Sequence, residues 1–201
     1  SLIFITHLHS DHYLELGPLI HTAWTAGLKT PVVVYGPEGL ADYWEAFLTS
    51  MAPDILLRVE DEGRKELRDI VEIRTLEEGD LHAEPGLAVR AMRVDHPPLV
   101  DCFALRFSGG GREVVMSADT AYLPALADFA KGADLLVHEA MLGAALPALV
   151  ARVGTDNDKL MKHLTRSHTT ASDAARIAAA AGVGALALNH LIPSDDPDYT
   201  A

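Results

Sequence analysis

The chain is 201 residues long, 49% hydrophobic and 22% charged, with a formal net charge of −13. That length suits a single domain spanning residues 1–201 with a sizeable core, and so acidic a surface disfavours nucleic acid unless cations are concentrated locally. Cys102 is the only cysteine, so no internal disulfide framework exists, and no apolar run approaches the roughly 18 residues of a membrane span.

Residues 2–5 (Leu-Ile-Phe-Ile) read as a buried strand. Ser1 leads straight into it, so the natural N-terminus is expected to be missing; the compartment is then open, cytoplasmic by default. The strand runs into His7-Leu-His9-Ser-Asp11-His12. Residues 14–28 look helical, stopped by Gly27 and Pro31, and residues 31–35 form a second short strand. A helix follows from Pro37, near its first turn, to about Met51. Residues 54–69 are charged and ambiguous. There Arg64, Lys65, Arg68 and Arg74 alternate with Glu62, Glu66, Asp69 and Glu72, a solvated mixed face rather than a basic patch. Strands are expected at 71–76, 87–94, 101–107 and 113–117, the last two joined by Gly109-Gly110-Gly111. A helix at 124–130, a strand at 134–139, an uncertain helical region, a capped Ala-rich helix at 172–181 and a strand at 185–189 complete the series.

Three imidazoles and a carboxylate within six residues, mounted on an apolar strand, point to metal binding. Along an extended segment His7, His9 and Asp11 share a side while His12 points elsewhere, so the run can feed two neighbouring metals. Further ligands should also end strands. His96, Asp119 and His190 each follow an apolar strand in this way.

The His-x-His-x-Asp-His run of His7 to His12 resembles the hallmark of the metallo-β-lactamase superfamily. The segments "FITHLHSDHYLELGPL", "VVVYGPEGL", "SADTAYLPAL", "DLLVHEAML" and "SHTTASDAARIAAAAGVGALALNHL" resemble successive blocks of its ribonuclease Z-like branch. The resemblance implies an α+β fold, a four-layer αββα sandwich lacking its first strands here. It also implies a first metal on His7, His9 and His96, a second on Asp11, His12 and His190, and Asp119 bridging them. Two divalent ions, zinc by default with manganese or iron also suited to these ligands, would share a hydroxide and stabilise charge on attacking and leaving oxygens. Asp11 thereby counts among the catalytic residues. The branch's His-Glu-Ala-Thr and His-Ser-Thr blocks stand here as His138-Glu139-Ala140-Met141 and His168-Thr169-Thr170. They imply that His168, held by Glu139, protonates the leaving group.

The branch's RNA-holding arm lies between the segments matching His96 and Asp119. Here these are 23 residues apart and filled by strands. With the acidic surface, that leads to an expected small-molecule substrate, transfer RNA being disfavoured, with no membrane partner and a homodimer allowed by the family. The expected reaction is hydrolysis of a small phosphodiester or related ester. Ring opening as in lactonases and β-lactamases is the alternative, and a metal-binding protein without turnover the alternative of another class. His21, His82 and His163 read as structural or solvated; His138 and Asp95 are candidates for orienting a ligand.

Overall fold

A computed structural model describes residues 1–194. The chain divides at Glu77–Glu78 into two compact units, each with its own sheet.

The first unit carries a parallel sheet of β1 (Leu2–Phe4), β2 (Val32–Gly36) and β3 (Val71–Thr75), with β2 in the middle. Parallel neighbours need crossovers, which α2 (Leu16–Thr25) and α3 (Leu40–Glu62) supply. β2 reads Val-Val-Val-Tyr because β-branched and aromatic side chains suit a strand buried on both faces. Leu16, Ile20 and Trp24, four residues apart, make one buried stripe of α2; Leu40, Trp44, Leu48 and Ile55 do the same for α3. These residues form one apolar core with Val32 and Val34, and each large side chain so buried stabilises the fold by roughly 1.5–3 kcal/mol.

α3 runs eleven residues beyond the end expected from the sequence. Pro53 lies inside it, where it withholds its own N–H and its ring crowds the carbonyl one turn before, a cost the rest of the helix offsets. Ile55 continues the buried stripe, and Arg58 bridges Asp54 and Glu62 at i±4, so the helix holds until Gly63 ends it at φ +65°.

In the second unit β4 (Gly79–Glu84), β5 (Leu87–Arg93), β6 (Phe103–Gly109) and β7 (Arg112–Met116) form an antiparallel meander. β8 (Leu135–Met141) and β9 (Ala185–Ile192) extend it in parallel. Gly110 and Gly111 make the β6–β7 turn with φ of +59° and +73°, the primed hairpin geometry that glycine permits. α4 (Leu126–Phe129) joins β7 to β8; α5 (Leu146–Val153), α6 (Asn157–Ser167) and α7 (Ala171–Ala181) lie between β8 and β9.

Thr170 caps α7 by accepting the Asp173 N–H, and Gly182 closes it at φ +63°. The small residues Ala174, Ala178 and Ala181 flank Ile177 on its buried face. Ile177, Ala178 and Ala181 share a core with Leu136, Val115 and Cys102. Burial pushes the Cys102 thiol well above its ordinary pKa, keeping it protonated. A smaller core gathers Met141, Leu146, Val150 and Leu164 from β8, α5 and α6. Among the described residues no helix is long and apolar enough to cross a membrane.

Candidate metal centre

In the first unit β1 is prolonged by the Ile5 N–H bond to the Tyr35 carbonyl, which delivers Thr6 and His7 at the end of the sheet. Ile5 and Leu8 pack into the first core, so the histidines between and after them are displayed from a fixed backbone. His7 is fully buried and its Nδ1 lies 3.1 Å from Thr6 Oγ1. The extended geometry ends at His9. There the chain turns into α1 (Ser10–Tyr13), a single helical turn that breaks the alternation expected from the sequence. As a result His12 does not point away: its ring lies 4.0 Å from that of His7, nearer than the 5.1 Å between His7 and His9. Asp11 is the exposed member, 3.3 Å from His12 Nε2.

The second unit gathers its own set. His96 follows β5, is fully buried, and donates its Nδ1 hydrogen to the Ser167 carbonyl at 2.8 Å. Asp119 follows β7, past Ala118 at φ +57°. Its Oδ2 lies 4.0 Å from His96 Nε2 and 3.3 Å from His190 Nε2. His190 reaches it from a β-bulge: Glu139 pairs with Asn189 and Ala140 with Leu191, leaving His190 as the extra residue, at φ +43°. Asp119, His168 and His190 each bring a ligand atom within 4.8 Å of the other two.

Glu139 and His168 do meet. His168 Nδ1 lies 3.0 and 3.1 Å from the two Glu139 carboxylate oxygens, both side chains being buried. Burial pushes the Glu139 carboxyl up to about 8, against the opposing pull of the Thr120 N–H, which donates to Oε1 at 2.7 Å. Thr169 Oγ1 donates to the Thr120 carbonyl at 2.6 Å and so steadies the loop that grips Glu139.

Among the other candidates, the Asp95 carboxylate is exposed; its backbone carbonyl, not its side chain, accepts the Ala121 N–H. His21 pairs with Asp54 on the next helix, and His82 lies near Glu84. Trp24 and Trp44 are core. His163, which read as structural or solvated in the sequence, stands beside this cluster: its ring lies 6.4 Å from His96 and 6.0 Å from His168, and it is one turn before Ser167 on α6.

Imidazole nitrogens around a shared carboxylate oxygen suit zinc, manganese or iron. A histidine whose Nδ1–H is spent on a carbonyl, as in His96, presents an Nε2 lone pair in the manner of a metal ligand. The donor set fits a divalent cation.

The family of the Beta-lactamase superfamily domain matches residues 1–191. Ribonuclease Z of Mycobacterium bovis BCG is 30% identical over 98% of this chain and 69% of its own length. Two solved structures share the fold: human tRNase Z, short form (23% identical, TM-score 0.65, covering 95% of this chain and 72% of that one), and the metallo-β-lactamase fold protein YhfI of Bacillus subtilis (24% identical, TM-score 0.62, 95% and 65%).

These relatives overturn one expectation, that the substrate is a small molecule and transfer RNA is disfavoured. Net charge is a sum over the whole surface, whereas phosphates are gripped by a few local contacts. The short interval between His96 and Asp119 constrains only an arm placed there. With its α+β elements, its strand-end histidines and these relatives, the chain belongs to the ribonuclease Z-like branch of the metallo-β-lactamase superfamily, a family of metal-dependent hydrolases.

Proposed function

We propose that this protein hydrolyses phosphodiester bonds in RNA, a transfer RNA precursor being the first substrate to test. His7, His9, Asp11, His12, His96, Asp119 and His190 would hold two divalent ions, zinc by default. The family pattern and the geometry within each half support this ligand set. Ions so held activate water and offset charge on the attacking and leaving oxygens of an in-line displacement.

What the chain itself contributes is the proton. The observation that carries the reading is the buried Glu139–His168 pair. With Nδ1 occupied by the carboxylate, His168 has Nε2 to offer to the oxygen that departs. Glu139 orients the ring and balances the charge of the imidazolium. The carboxyl's raised pKa favours retention of a proton within the pair at neutral pH. Once His168 has protonated the departing alkoxide, the pair takes the proton back from solvent.

An alkoxide leaving group needs that proton; p-nitrophenolate, a stable anion, does not. In the zinc-loaded protein, His168→Ala should therefore lower kcat on a transfer RNA precursor by about 100- to 10,000-fold. Turnover of bis(p-nitrophenyl) phosphate should fall far less. Equal losses on both substrates would refute the role of His168 as acid. A wild-type protein that cleaves the nitrophenyl ester but leaves RNA intact would refute the RNA reading.

A further inference from the structure

Glu139 occupies an awkward place in its sheet. On one side the β7–β8 ladder has run out, its last pair being Met116 with Val137. On the other the β8–β9 register shifts between Glu139 and Ala140. Side chains serve its peptide groups at this point. Its N–H donates to Ser117 Oγ at 3.1 Å, and its carbonyl accepts from His138 Nδ1 at 2.7 Å. His138 is fully buried, and among the described residues its Nε2 has no hydrogen-bond partner. A buried polar atom left in this state costs stability, and an apolar residue would suit the position better if packing were all that mattered. What histidine supplies and leucine cannot is the Nδ1–H on the Glu139 carbonyl.

We infer that His138 is a positioning residue: its Nδ1 holds the Glu139 peptide at the β-bulge, and so sets both the carboxylate that orients His168 and the turn that aims His190 at Asp119. The geometry runs in both directions from one peptide. Toward its own side chain, Glu139 reaches Thr120 N–H and His168 Nδ1. Across the ladder, Glu139 and Ala140 frame the shift that excludes His190 from pairing and leaves its Nε2 3.3 Å from the Asp119 carboxylate. A bulge is held only as well as the peptides on either side of it, and His190 at φ +43° needs such support because a side chain there is strained. Supporting groups of this kind are usually worth 10–100-fold in metal affinity or activity.

This rests on the hydrolase reading above, and the test separates the two. Asparagine places an amide N–H about where histidine has Nδ1; glutamine places one nearer Nε2, which meets no partner among the described residues. His138→Leu, His138→Asn and His138→Gln are prepared in the full chain, and zinc content, kcat, KM and Tm are measured, with bis(p-nitrophenyl) phosphate reading the His190 side and a transfer RNA precursor reading the His168 side. His138→Leu and His138→Gln should lose about tenfold or more in kcat at unchanged KM and bind zinc more weakly. His138→Asn should stay within about threefold of wild type in both. The loss in His138→Leu should come with a Tm at or above wild type, since the substitution removes an unmet polar atom. Losses that track Tm, or an asparagine variant as impaired as the leucine one, would overturn the role of His138. If the leucine variant fails to fold, asparagine against glutamine still decides. A wild type that neither binds zinc nor turns over would take the hydrolase reading down as well; an active wild type beside an equally active leucine variant would sink the positioning role alone.

Discussion

The two clusters of candidate ligands, one in each unit, are built by different means. In the first unit one strand, one loop and one helical turn supply His7, His9, Asp11 and His12, with Ile5 and Leu8 as hydrophobic anchors on either side of His7. In the second, His96, Asp119, Glu139, His168 and His190 come from five segments spread over 95 residues. They are steadied by hydrogen bonds from Ser117, Thr120, His138 and the Ser167 carbonyl. Of the non-glycine residues with positive φ, His190 belongs to that second set and Ala118 immediately precedes its Asp119. A contiguous site gets its geometry from local backbone and burial; a dispersed one gets it from a network, and should be the more easily disordered from a distance.

The sharpest way to break that contrast is to compare its two aspartates. Asp119 is 2% exposed and faces both His96 and His190 through one oxygen. Asp119→Ala should remove a contact shared by both histidines, lowering kcat/KM on the order of 1,000-fold, the upper range for losing one electrostatic stabiliser. Zinc content should fall with it. Asp11 has a side chain 62% exposed. Water could substitute for part of any coordination Asp11 provides, so Asp11→Ala should cost roughly ten- to a hundredfold, within the span of residues that support rather than centre a metal. Metal analysis and steady-state rates on the two variants check this directly. Equal losses would mean that burial does not rank the ligands, and the contrast would fail.

A smaller effect sharpens it from the side of packing. Ile20 lies in the first core and Leu136 in the second, both nearly or fully inaccessible. Ile20→Ala and Leu136→Ala should each cost about 2–5 kcal/mol by denaturant titration. At a temperature where both remain folded, the activity loss should be greater for Leu136→Ala. Leu136 stands two residues before His138 on the same face of β8, so a cavity there loosens the network directly. If Ile20→Ala is the more damaging to activity, the first cluster is not the self-contained one.

The same contrast explains what could be read in the sequence. The dense run from His7 to His12 was legible because its chemistry is local, and the apolar strands that carry it have a strong pattern. The strand-end positions of His96, Asp119 and His190 were legible as places, and the family resemblance tied them together. The bulge was not, because nothing in Asn189-His190-Leu191 marks an extra residue when the pairing partner lies 50 residues away. Nor was the turn at Ser10–Tyr13, where a four-residue helix has too little length for periodicity to show. β4 escaped because Asp80, His82 and Glu84 make it polar, as an edge strand can be. α3 beyond Pro53 escaped because its continuation rests on tertiary packing of Ile55.

The smallest effect separates stabilising an element from positioning a residue. Thr170 stands two residues after His168 and caps α7, accepting the Asp173 N–H at 3.1 Å while donating to its carboxylate at 2.8 Å. Thr170→Ala should cost about 1 kcal/mol, the usual value of a helix cap, visible as a shift in the denaturation midpoint with an unchanged slope. Yet the Glu139–His168 contact does not run through that hydroxyl. Thr169, whose hydroxyl holds the Thr120 carbonyl, remains in place between them. The variant should therefore keep kcat and zinc content within about twofold of wild type, as expected where two sites share no partner. A larger loss would mean that the His168 loop is set by the helix that follows it, and that the network of the second cluster extends into α7.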